Sequence, residues 1–191
     1  MNTFARRLLR AAALDRRTYE EVEADARATG QAVGVVVLAS IAGGIGLPGL
    51  GAQTWQSLVA GMVGSLIGWM AWAALTYLIG TRFMPEQQTS ADVGELLRTI
   101  GFASAPGFLR VLGIIPFLGL TIYAVASIWM LLAMIVAVRQ ALDYKSTTRA
   151  IGVCVVGWAL SLVVAAVIGI IFAPTELVVS TVVPRCLAHA S

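Results

Sequence analysis

The longest uncharged stretch of this chain runs from position 28 to position 81, which makes 54 consecutive residues between Arg27 and Arg82. A helix of about 20 apolar residues crosses the hydrocarbon core of a bilayer, so this stretch is long enough for two crossings. The sequence LPGLGAQ at 47–53 predicts a turn between them, because proline and glycine end helices. With 59% hydrophobic and 12% charged residues, the chain also has too little polar surface to cover a soluble globule. The sequence therefore predicts an integral membrane protein.

Two further stretches complete the predicted set of membrane spans. Residues 99–138 carry one charge, Arg110, in 40 positions, and residues 150–175 carry none in 26 positions. The first stretch is long enough for two helices and the second for one. We therefore predict an all-α polytopic membrane protein with five transmembrane helices. The predicted spans are about 31–48, 56–80, 99–116, 120–139 and 151–172.

The lysine and arginine residues indicate how these spans are oriented. Eleven of them precede span one or lie in the loops after spans two and four, namely Arg6, Arg7, Arg10, Arg16, Arg17, Arg27, Arg82, Arg98, Arg139, Lys145 and Arg149. Basic loops face the cytoplasm, so we predict a cytoplasmic N-terminus and a C-terminus outside, in the inner or plasma membrane. The chain then divides into a cytoplasmic or interfacial amphipathic arm at 1–30, a five-helix domain at 31–173 and an exterior tail at 174–191.

The N-terminal arm has a local pattern of its own. The sequence Thr18-Tyr19-Glu20-Glu21 fits a capping box and predicts that a helix starts at Thr18. The preceding residues 3–13 combine apolar side chains with three arginines. Two interpretations stay open: the arm is a solvated charged segment, or it binds anionic lipid headgroups or a partner.

Arg110 is the one charge in the interior of a predicted span, and two prolines flank it. At about 1.5 Å per residue from Arg98, it lies roughly 18 Å along span three, just past the middle of a core about 30 Å thick. Pro106 and Pro116 each remove a helical hydrogen bond and predict a broken helix with free carbonyls. Glu176 is the predicted ionic partner. Arg110 either extends to the outer headgroups or points inward and lines a polar cavity for an anionic headgroup or partner.

Small residues at four-residue spacing mark one face of two predicted spans. Such faces let the backbones of two helices approach closely. They predict packing surfaces, either within one chain or between two copies. The residues are Ala60, Gly64 and Gly68 in span two and Gly157, Ser161, Ala165 and Gly169 in span five.

Several segments resemble bacterial members of the Yip (Ypt/Rab-interacting protein) domain family. They are LDRRTYEEVEADARATGQA at 14–32, GGIG at 43–46, ELLRTIGFASAPGFLRVLGIIP at 95–116, ASIWMLLAMIVAVRQALDY at 126–144 and STTRAIGV at 146–153. The resemblance implies a five-span membrane protein. Eukaryotic members are Golgi and endoplasmic-reticulum proteins that engage Rab-type GTPases. The DLYGP-type motif of those proteins is missing here, so GTPase binding is not expected. The resemblance implies no catalytic residues.

The residue types needed for common catalytic sites are also missing. His189, in the predicted exterior tail, is the sole histidine, and the sole lysine, Lys145, does not follow a glycine. These positions exclude a two-histidine metal site and a phosphate-binding GxxxxGK[ST] loop, and they disfavour a hydrolytic triad. Cys154 and Cys186 do not form a metal-binding spacing. We therefore predict no catalytic, metal-binding or cofactor-binding residues and no enzymatic activity.

The sequence favours a non-catalytic scaffold or adaptor in membrane organisation or trafficking. It would act through contacts with the lipid bilayer, including anionic headgroups, and with a homo- or hetero-oligomeric membrane partner. No nucleic-acid partner is expected, since the basic residues lie at span ends and form no single patch. The alternatives are a small-molecule or lipid transporter or passive pore, and an unrecognised enzyme.

Overall fold

The computed structural model describes residues 3–46, 55–115 and 117–171, with side chains described as far as Val163. Within these ranges every regular element is a helix. The α-helices are α1 (Thr3–Ala12), α2 (Arg16–Ala24), α3 (Ala28–Gly46), α4 (Trp55–Leu78), α5 (Val93–Ala103), α6 (Gly119–Ala141) and α7 (Thr147–Ile171). A π-helical turn (Ile79–Phe83) continues α4, and a 3₁₀ helix (Ala105–Ile114), termed the 3₁₀ segment, follows α5.

Three helices are long and apolar enough to cross a membrane. They are α3, α4 together with its π turn (Trp55–Phe83), and α6. They lie where the first, second and fourth spans are predicted, and they confirm an all-helical membrane protein. In α7, the part with described side chains, Thr147–Val163, is apolar but shorter.

The region of the predicted third span is not one continuous helix. Helix α5 begins at Val93, ahead of the predicted 99–116, because Asp92 and Glu95 form a capping box at its start. It ends at Ala103, and Pro106 stands near the beginning of the 3₁₀ segment. Proline has no N–H to continue an α-helix. At about 1.5 Å per residue for α5 and about 2.0 Å for the 3₁₀ segment, the two rise roughly 16 Å and 20 Å.

Helix α3 is the central element of the packing. It contacts α4, α5 and the 3₁₀ segment, and its Ala32 and Val35 are fully buried. The contact with α5 requires glycine at position 101, where a Cβ would lie 2.7 Å from the Ala32 Cβ and 3.2 Å from the Ala32 Cα. Close backbone approach of this kind is how apolar helices pack in a membrane.

The N-terminal arm is docked on the helices. Tyr19 is fully buried and donates a hydrogen bond to the Ala11 carbonyl at 2.9 Å. Arg7 forms ion pairs of 2.9 Å with both Glu21 and Asp25. Helices α1 and α2 both contact α5, and α2 also contacts α6. The arm is therefore part of the helical unit and is not a free solvated segment.

The predicted start of the arm's second helix is wrong. Helix α2 begins at Arg16, and its N-cap is Asp15, whose side chain accepts a hydrogen bond from the Arg17 N–H at 3.1 Å. The Thr18 hydroxyl instead donates to the Asp15 carboxylate at 3.3 Å. A carboxylate caps a helix N-terminus well because it also faces the positive end of the helix dipole. Asp15 therefore takes the capping role predicted for Thr18.

The chain divides into two compact units, Met1–Gly157 and Trp158–Ser191. The boundary falls within α7. In the second unit the structure describes the helical backbone as far as Ile171. All the contacts described below lie in the first unit.

Candidate functional site

Arg110 lies in the 3₁₀ segment, and its guanidinium contacts α6. Its Nη2 donates a hydrogen bond to Ser127 Oγ at 2.9 Å, and its Cζ lies 4.5 Å from the centre of the Tyr123 ring. Ser127 Oγ in turn donates to the Tyr123 carbonyl at 2.7 Å. This second bond orients the hydroxyl so that its lone pairs face the guanidinium. The arginine therefore has one hydrogen bond and one cation–π contact, both with the same helix.

Glycines of α3 make room for Arg110 on its other side. A Cβ at Gly43 would lie 3.7 Å from the Arg110 Cδ. A Cβ at Gly46 would overlap the Arg110 carbonyl, and one at Gly113 would overlap the Gly46 carbonyl. The backbones of α3 and the 3₁₀ segment therefore meet at this pair of glycines. This close approach fixes the position from which the arginine side chain extends.

The Arg110 side chain lines a cavity of about 510 Å³, termed the Arg110 cavity. Helices α3, α4, α5 and α6 all contribute to its wall. Among the described lining residues, Arg110 is the sole charged side chain. The other polar or aromatic lining residues are Ser40, Ser57, Ser65, Trp69, Trp72, Ser104 and Tyr123.

Two N–H groups of the cavity-lining residues are buried without an acceptor in the described part of the chain. They are Nε of Arg110 and Nε1 of Trp72. A buried donor without an acceptor is costly and rare in folded proteins. The hydroxyls of Ser40 and Ser65 already donate to carbonyls of their own helices at 2.7 Å. The cavity wall therefore offers two unused donors and one positive charge.

The other predicted members of the intramembrane polar site have different outcomes. Pro106 stands at the helix break described above, where it is buried in the 3₁₀ segment. Pro116 and Glu176 lie outside the described residues. The pairing of Glu176 with Arg110 therefore stays a prediction.

The small-residue faces of the two spans also differ. In α4, Ala60, Gly64 and Gly68 are exposed, and a Cβ at Gly64 or Gly68 would meet no other atom within 4 Å in the described structure. Gly68 lines the Arg110 cavity. The described part of the chain thus provides no helix that packs on this face.

In α7, Gly157 contacts α4, since a Cβ there would lie 3.2 Å from the Trp72 ring. Ser161 belongs to the second unit, and the side chains at positions 165 and 169 lie outside the described residues. The packing role predicted for Ala165 and Gly169 therefore stays a prediction.

A second polar region, which the sequence did not predict, joins the arm to two loops. We term it the charged layer, formed by α1, α2 and residues 84–92 and 142–146. Arg98 donates through Nε to the Val22 and Glu23 carbonyls at 3.1 and 3.0 Å. The Tyr144 hydroxyl contacts the Gly80 and Met84 carbonyls at 2.9 and 2.7 Å. These bonds hold the arm and both loops against the helix ends.

Two carboxylates of the charged layer, Glu23 and Glu86, have pKa values shifted in opposite directions. Burial, aided by the negative charges of Asp143, Glu95 and Glu20, raises the pKa of Glu23 to about 7. Hydrogen bonding from the Lys145 backbone N–H lowers the pKa of Glu86. The charge of Glu23 therefore changes near neutral pH.

These features define an integral membrane protein of helices, with a central polar cavity and a charged layer at one end. The sequence profile of the Yip1 domain matches residues 14–172, and the chain belongs to the Yip1 domain family. This finding confirms the family resemblance. Comparison with curated proteins and with solved structures gave no match.

Proposed function

We propose that this Yip1-domain protein is a non-catalytic scaffold or adaptor that organises a membrane, or takes part in trafficking, through lipid and protein contacts. The observation that carries the proposal is the exposed face of the docked helix α1. Arg7 is buried against the helices, while Leu9 is 60% exposed and Arg10 is exposed beside it. A helix that holds apolar and cationic side chains at a membrane end suits anionic headgroups or a protein partner.

The proposed arrangement is a multi-pass protein of the inner or plasma membrane. Five crossings place the N-terminus in the cytoplasm and the C-terminus outside. Helix α5 and the 3₁₀ segment supply the third crossing, since together they rise about 36 Å, more than a hydrocarbon core of about 30 Å. This arrangement keeps all eleven basic residues counted above on one side.

The scaffold proposal is tested by isolating the protein with its partners. Cells are crosslinked, and the chain is purified in mild detergent as the wild type and as the double variant Leu9→Ser, Arg10→Glu. We expect a stoichiometric partner that the double variant loses and that Arg82→Leu, a charge change away from α1, retains. If the wild type purifies alone or the double variant keeps the same partner, the proposal is wrong.

The second candidate function is a transporter or passive pore. The observation in its favour is the Arg110 cavity, because a charged side chain inside a membrane domain is typical of a substrate path. The test is flux of small anions and of labelled lipids in reconstituted vesicles. Flux that Arg110→Leu abolishes and Arg82→Leu leaves unchanged would favour this function over the scaffold.

A further inference from the structure

The charge of Arg110 is not balanced by a carboxylate in the described part of the chain. The ion pairs there join Arg6 and Arg7 to carboxylates of α2 and its C-cap, and Arg149 to Glu86. A guanidinium within a membrane domain is stable only when it has a counter-charge, water or several acceptors. Its single hydrogen bond with Ser127 does not meet that need. The arrangement therefore favours an anion in the Arg110 cavity.

The unused donors indicate which anion fits. Nε of Arg110 and Nε1 of Trp72 both need an acceptor. The oxygens of a phosphate group can accept from several donors at once, and a guanidinium binds phosphate through paired N–H groups. A phosphate group would thus serve both the charge and the unused Nε of Arg110.

The cavity reaches the end of the helices opposite the charged layer. Ser57, two residues into α4, lines it, and so does Gly44, two residues before the end of α3. Ser57, Gly61 and Gly68 are exposed as well as cavity-lining, so the cavity opens to the surface along α4. A bilayer lipid can therefore reach the cavity from that end.

The position of Arg110 agrees with entry from this end. Its partner Ser127 stands eight residues after Gly119, where α6 begins, or about 12 Å along the helix. A headgroup therefore moves only part of the way into the bilayer to meet the guanidinium.

The size and the apolar part of the wall favour a lipid over a free phosphate ion. The volume of about 510 Å³ falls in the range of about 300 to 1,000 Å³ that is usual for small-molecule sites. Leu58, Ile100, Met130 and Met134 also line the cavity. These side chains provide contacts for the glycerol and first acyl carbons of a lipid, whereas a free ion would leave them unused.

We propose that the Arg110 cavity binds the phosphate group of an anionic phospholipid that enters from the end of the helices opposite the charged layer. The proposal deepens, and rests on, the lipid-contact part of the proposed function. Its test uses the purified full-length chain, so it can fail while partner purification succeeds, and the reverse.

The test measures lipid binding to the chain in neutral detergent by native mass spectrometry. The probes are phosphatidylglycerol, phosphatidylcholine, which has the same phosphate but no net charge, and inorganic phosphate as a competitor. We expect saturable binding of phosphatidylglycerol, weaker binding of phosphatidylcholine and no competition by inorganic phosphate. Full competition by inorganic phosphate would show that the occupant is a free anion and would overturn the lipid assignment.

Variants show whether the binding depends on the cavity. Arg110→Leu should weaken phosphatidylglycerol binding about tenfold or more, since the charge and its paired donors are lost. Arg110→Lys keeps the charge without the planar fork and should fall between Arg110→Leu and the wild type. Trp72→Phe removes the other unused donor of the cavity wall and should weaken binding less than Arg110→Leu does. Arg82→Leu, which removes an exposed charge elsewhere, should bind as the wild type does. Equal binding by all four variants would overturn the proposal.

Discussion

At the scale of single residues, Arg110 is held in place by one helix. Ser127 accepts its hydrogen bond and Tyr123 lies beneath its guanidinium. These contacts favour the inward interpretation of Arg110 over extension to the outer headgroups. Substituting Ser127 tests these contacts without removing the charge of Arg110.

Replacing Ser127 with alanine should destabilise the protein. The change leaves the Arg110 Nη2 without its acceptor in a region of low dielectric, at an expected cost of about 1 to 3 kcal/mol. The measurement is thermal unfolding of the purified protein in detergent.

Ser65→Ala is the matched control. Ser65 also donates to a carbonyl four residues earlier in its own helix, at the same 2.7 Å as Ser127, but Arg110 does not bond to it. We expect this variant to match the wild type. Similar unfolding temperatures for both variants would mean that Arg110 does not rely on Ser127.

Glu23 is the residue at which the charged layer should respond to pH. The folded protein raises its pKa from the usual 4.5 to about 7, so the folded state holds a proton that the unfolded state releases. The free energy of unfolding should therefore fall as the pH rises from about 4.5 to about 7 and then level off. Thermal unfolding across this pH window measures the slope.

Glu23→Gln should reduce this slope, since glutamine does not ionise. Glu86→Gln is the control, because the pKa of Glu86 is lowered and its contribution is lost at pH values below the Glu23 window. We expect the slope to persist in that variant. An unchanged slope in Glu23→Gln would mean that another group titrates there.

At the scale of the elements, the uncharged stretches of the sequence predicted the helices but not how the helices pack. Helices α3 and α4 lie in one uncharged stretch, and the one charge of α6, Arg139, lies in its last turn. The third predicted span differs, since a capping box and a proline determine where its helical segments begin and end. The Asp92 capping box starts α5 early and Pro106 prevents its continuation.

The docking of the arm could not be predicted from local pattern. Arg98 bonds to carbonyls of Val22 and Glu23, which are 76 and 75 positions away in sequence. Trp129 donates to the Ala12 carbonyl across 117 positions. Such bonds exist only once the helices have packed, so spacing along the chain contains no sign of them.

The packing of α3 against α5 should depend on Gly101. Gly101→Ala would place a methyl group 2.7 Å from the Ala32 Cβ, which neither side chain can avoid without a backbone shift. We expect a loss of about 1 to 3 kcal/mol in the free energy of unfolding. Thermal or denaturant unfolding in detergent measures it.

Gly34→Ala provides the comparison for this change. Gly34 lies within α3, and a Cβ there would meet no other atom within 4 Å in the described structure. Alanine is the better helix former by about 0.5 to 1 kcal/mol, so we expect unchanged or higher stability. If Gly101→Ala is as stable as Gly34→Ala, helices α3 and α5 do not approach each other closely at Gly101.

At the scale of the whole molecule, the family assignment and the helices agree on a membrane protein of the Yip1 domain type. The candidate site was partly predictable from the sequence. An arginine in an apolar stretch is energetically unfavourable in a membrane, so its presence indicates a function. Its neighbours were not predictable. Gly43 and Ser127 meet Arg110 from helices that are distant in sequence, and only packing brings them together.

The proposed five crossings from a cytoplasmic N-terminus put the C-terminal tail outside, and thiol labelling tests this central claim most directly. Two single-cysteine variants, Cys154→Ser and Cys186→Ser, are treated in intact cells with a membrane-impermeant thiol reagent. Cys186 lies outside the described residues, in the predicted exterior tail, whereas Cys154 is buried in α7. The account predicts that Cys154→Ser is labelled through Cys186 and that Cys186→Ser is not labelled. Labelling of Cys154→Ser only after the membrane is permeabilised would contradict it.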